Sequence, residues 1–61
     1  MSAALERTKE VLNDPMSAMS EKVYMLGHLA VALIGTNADD ETAQEARAVI
    51  VAFWREMEEA Q

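Results

Sequence analysis

The fold is decided by residues 16–35, MSAMSEKVYMLGHLAVALIG. Within this stretch Met16, Met19, Val23, Leu26, Ala30 and Leu33 recur in alternating steps of three and four. Such steps return to one side of an α-helix and draw an apolar seam along it, the pattern of a helix lying nearly parallel or antiparallel to another. Gly35 follows the last seam residue, where glycine terminates helices by taking the left-handed conformation at low cost. Just upstream, Asn13-Asp14-Pro15 interrupts the chain, because the residue before proline avoids the helical region. Asp14 is then placed to cap a helix with Pro15 at its first position. The expectation is a helix over about 15–34.

A second seam follows at Ala43, Ala46, Ile50, Phe53 and Met57. Thr36-Asn37 supplies a tight connection, and Asp39, Asp40 and Glu41 put negative charge at the electropositive start of a helix over about 38–59. Two such helices joined by a few residues should fold back as an antiparallel hairpin. Matching the seams sets Leu33 near Ala43, Ala30 near Ala46, Leu26 near Ile50, Val23 near Phe53 and Met19 near Met57. The hairpin should be narrow at its loop and wide at its mouth. Ahead of it, residues 3–12 form a short helix with Leu5, Thr8 and Leu12 on one side and Glu6, Lys9 and Glu10 toward water. Leu5, Val11 and Leu12 are positioned to fill the mouth. The chain is thus read as one all-α domain over residues 1–61: an antiparallel helical hairpin with a short N-terminal helix.

Apolar residues exceed what these seams use. Met25, Leu29, Val31 and Ile34 lie off the first seam, and Val49, Val51 and Trp54 lie off the second. A helix apolar on all sides must be covered on all sides. In a chain of 61 residues the core alone is marginal, since a domain of this size buries only about 60% of its unfolded surface. A second copy is the expected cover, giving a four-helix-bundle-like homodimer or higher oligomer, with Met25, Leu29, Val31, Ile34 and Val49 as the self-association set. Size and pattern are similar to the small acidic helical-hairpin dimers typified by the plasmid regulator Rop. Rop-like RNA binding would need a basic face, and this sequence has none.

Charge narrows the function. Five basic and eleven acidic residues give a net charge of -6, and no Lys/Arg cluster exists to bind phosphates, so nucleic acid is disfavoured as a direct partner. Without Cys there is no disulfide framework and no thiolate metal site, and one His is too few for the usual three or four protein ligands. The longest apolar run, Val23 to Ile34, is shorter than the ~20 residues of a membrane helix and is interrupted by Gly27 and His28. No membrane association is expected, and with no export signal in MSAALERTKE the expected location is cytoplasmic.

Catalysis finds no constellation. Ser17 and Ser20 stand at the expected start of the second helix, too far from His28 for a dyad, and Gly27 and Gly35 are isolated. No enzyme and no cofactor are expected. Tryptophan and arginine favour binding hot spots, so Arg47, Val51, Trp54 and Glu58 on one flank of the third helix are the expected contact with another protein. The expected role is a small acidic protein-binding module, an inhibitor or adaptor of phage or mobile-element type. The alternative is sequestration of an anionic, nucleotide-like ligand between chains by Lys22, Tyr24, His28 and Arg47.

Overall fold

A computed structural model describes residues 2–35 and 40–60. It is all-helical, with α1 at Ser2–Asn13, α2 at Met19–Ile34 and α3 at Glu41–Glu59. The expected Thr36-Asn37 connection and the first residues of the expected third helix, Ala38 and Asp39, lie outside the described residues.

Helix α2 begins four residues later than the sequence suggests. Asp14 spends its carboxylate on a local turn, accepting from the backbone N–H of Met16 at 2.9 Å, while its carbonyl accepts from Ser17 N–H at 3.1 Å. This side-chain-mimicked turn competes with the helix start at Pro15 and wins. Met16 therefore sits in the turn, 88% exposed, and is no part of a helical seam. Ala18 precedes α2 in extended conformation without a side-chain cap, so neither serine takes the capping role. Gly35 closes α2 at φ -89°, outside the left-handed region expected of it. The start of α3 is better secured: the Asp40 carboxylate accepts from Thr42 N–H at 2.8 Å, and Glu41 places a charge in the first turn.

The core centres on Leu5, Leu29 and Ala46, one from each helix, with Ala4, Leu33, Val49 and Ile50 packed around it. Leu26, Ala43 and Phe53 are buried as well. Leu29 corrects the self-association set. It is fully buried, because Leu5 of α1 covers the flank of α2 that lies off the first apolar seam. Val49 joins the same cluster and is half-buried, as is Met25, whose carbonyl lies 3.4 Å from the Thr8 hydroxyl. Of that set, Val31 and Ile34 remain open, at 70% and 84% exposure.

Helix α1 packs mainly on α2 and less on α3. Its Leu5 reaches past the expected mouth to Leu29, in the second half of α2, and Ala46, in the first half of α3, leaving Leu12 beside Lys22 and Phe53. Thr8 is fully buried and donates to the Ala4 carbonyl at 2.7 Å, so its polar atom is satisfied within its own helix. Lys9 is half-buried and pairs with Glu45, tying α1 to α3 instead of simply facing water.

Candidate functional site

Two exposed stripes remain once the core is assembled. On α2, Ser20, Tyr24, Gly27, Val31 and Ile34 follow one another in steps of four and three, all exposed. Val31 stands two residues from Leu29, about 200° around the helix, so the stripe faces away from the core that α1 completes. Tyr24 is 64% exposed. On α3, Arg47, Val51, Trp54 and Glu58 are likewise spaced by four, three and four and are likewise exposed. Trp54 is half out of the protein, at 50%, with its ring edge-to-face against buried Phe53 at a centroid distance of 6.2 Å. The buried phenyl gives the exposed indole an aromatic partner within its own chain.

The stripes meet at Trp54. A shallow apolar groove of about 180 Å³ runs between α2 and α3, lined by Val23, Gly27 and Ala30 from one helix and Ile50, Phe53 and Trp54 from the other. No atom outside its own helix lies within 4 Å of where a Cβ on Gly27 would stand, and no glycine has positive φ. Neither intrachain packing nor backbone conformation requires glycine here, although glycine in a helix interior costs about 1 kcal/mol relative to alanine.

Within a single chain, the four residues expected to hold an anion between chains lie apart. Lys22 points into a separate cleft of about 310 Å³, with Lys9, Leu12, Asn13, Phe53 and Glu56. Tyr24 and His28 stand about 200° and 240° further round α2, on its exposed side, because steps of two and six residues do not share a helix face. Arg47 lines none of these depressions. The Lys22 cleft was hidden from sequence reasoning because it joins residues of three helices, and the Lys9–Glu45 pair that borders it spans 36 positions.

Chemistry is sparse elsewhere. Among the described residues, no group of three His, Asp or Glu side chains is placed to hold a metal ion, and no buried side-chain polar atom lacks a hydrogen-bond partner. The hydrogen bond to Glu45 holds the Lys9 ammonium above its ordinary pKa of 10.5, against a smaller desolvation effect. No described helix is long and apolar enough to cross a membrane. In comparisons with known proteins, no protein-family model, curated protein or solved structure matches this chain.

Proposed function

We propose that this chain is a homo-oligomeric protein-binding module that acts without chemistry, as an inhibitor or adaptor, by occupying a partner protein's surface. In this reading α2 and α3 form an antiparallel hairpin, and two copies pair into a four-helix arrangement with α1 appended. The shared groove of Val23 and Ala30 with Ile50 and Phe53 supports the antiparallel register.

The observation that carries the proposal is the quantity of apolar surface left open on the side away from α1. Val31, Ile34, Tyr24 and Trp54 are 70%, 84%, 64% and 50% exposed. Contiguous apolar surface on a small protein marks a binding site. Trp54, edge-to-face against Phe53 and flanked by Val51 and Arg47, has the composition of a hot spot, and the charge of Glu58 adds selectivity for a basic neighbour.

The test is affinity capture from cells that express the chain, comparing wild type with Trp54→Ala. Loss of a specific co-purifying protein from the variant, with helicity and self-association unchanged, supports the assignment. Recovery of the same proteins in equal amounts removes the α3 stripe from it.

A further inference from the structure

We propose that the α2 stripe is the seat of a second copy of this chain, docked antiparallel on the same stripe with the two-fold axis at Gly27. The proposal deepens the self-association reading above and rests on it.

Three observations converge. The first is position: Gly27 lies at the middle of α2, which runs from Met19 to Ile34, and Ser20 and Ile34 stand seven residues to either side. An isologous pair built about that point sets Ser20 of one copy beside Ile34 of the other, and Tyr24 beside the partner's Val31 or Ala30. Each large side chain then meets a smaller one, and the same patch serves both copies, as a two-fold interface demands. The second observation is the glycine itself. It sits on an exposed helix face, with ordinary helical backbone and nothing in its own chain within reach of a Cβ. Close approach of a neighbouring helix backbone is the use that remains for it.

The third observation is area. Tyr24, Val31 and Ile34, with half-open Val23, expose on the order of 500 Å² per copy, so a docking that covers them together with Ser20, Gly27 and Ala30 approaches the ~600 Å² per partner at which specific interfaces begin. No charged side chain belongs to the stripe itself, so the pair brings no carboxylate or ammonium of the stripe against another. Trp54 borders the groove at the stripe's edge and stays within reach of a different protein.

The chain has no Cys, so engineered cysteines report on this geometry alone. Ser20→Cys and Ile34→Cys, both at exposed positions, are oxidised separately and as an equimolar mixture, and covalent dimer is read by intact mass. In the antiparallel pair the two Ser20 positions are about 21 Å apart along the axis, far beyond disulfide reach, whereas Ser20 and Ile34 are adjacent. Cross-linking in the mixture and not in either variant alone is expected. Gly27→Ala is expected to raise helicity at low concentration while weakening dimerisation at least tenfold. Should the variants sediment as dimers yet cross-link singly, or not at all in the mixture, this docking is overturned and the broader self-association reading stands. Dimerisation unchanged or tightened in Gly27→Ala also overturns it. Wild type sedimenting as a single chain overturns both.

Discussion

The Thr8 hydroxyl of α1 lies 3.4 Å from the backbone carbonyl of Met25 in α2 while donating to Ala4 at 2.7 Å. A β-branched polar side chain is thereby buried completely between the two helices, where its small volume matters more than its polarity. Thr8→Val should cost no more than about 1 kcal/mol, since the Ala4 carbonyl already belongs to the α1 ladder. Thr8→Leu forces extra methylenes against the α2 backbone and should cost about 1–3 kcal/mol. Urea unfolding at fixed protein concentration measures both.

Leu29 is the largest fully buried side chain and the point where all three helices meet. Leu29→Ala should destabilise by about 2–5 kcal/mol, comparable with the whole stability of a domain this small. The expected result is loss of cooperative thermal unfolding by circular dichroism, whereas Val31→Ala on the open face should leave folding of the isolated chain within about 0.5 kcal/mol.

The Lys9–Glu45 pair gives a pH dependence with a definite sign. The pKa of Lys9 is raised in the folded chain by its hydrogen bond to Glu45, so the stabilisation is fully present below the unfolded value near 10.5. It disappears as pH climbs through the higher folded value. Denaturation midpoints of wild type and Glu45→Gln, compared between pH 8 and 12, should differ by a small constant amount at the low end and converge at the high end. A difference that grows with pH would contradict the assignment.

The Asp40 cap carries a local prediction. Asp40→Ala removes the acceptor for Thr42 N–H and should cost about 0.5–2 kcal/mol, with fraying confined to the first turn of α3. Amide hydrogen exchange across residues 41–45 is the readout.

The three helices were legible because steps of three and four place Leu26, Ala43, Ala46 and Phe53 inside, and all four are buried. Leu5 and Thr8, on the side of α1 assigned to packing, are buried too. What failed was decided by competition or by distance in sequence. Asp14 could cap a helix or close a turn, and spacing cannot tell which until its carboxylate is seen on Met16 N–H. Leu29 sits off the seam, so its burial depends on α1 arriving from 24 residues away. Lys9 and Glu45 each look solvated on their own helices and become a pair only through that same packing. Arg47, Val51, Trp54 and Glu58 do share one helix face, and all four are exposed, as their spacing of four, three and four requires. Lys22 and His28 lie on different faces of α2, which a spacing of six residues already dictates.

The central claim is that the apolar face left open by α2 is covered by another copy. Sedimentation equilibrium from micromolar to millimolar concentration tests it directly, using wild type beside Val31→Glu and Ile34→Glu. The account predicts a wild-type mass of about twice 6.7 kDa, falling to the single-chain mass in both variants with helicity retained. A wild-type mass of 6.7 kDa across the whole range, with cooperative unfolding intact, would contradict it.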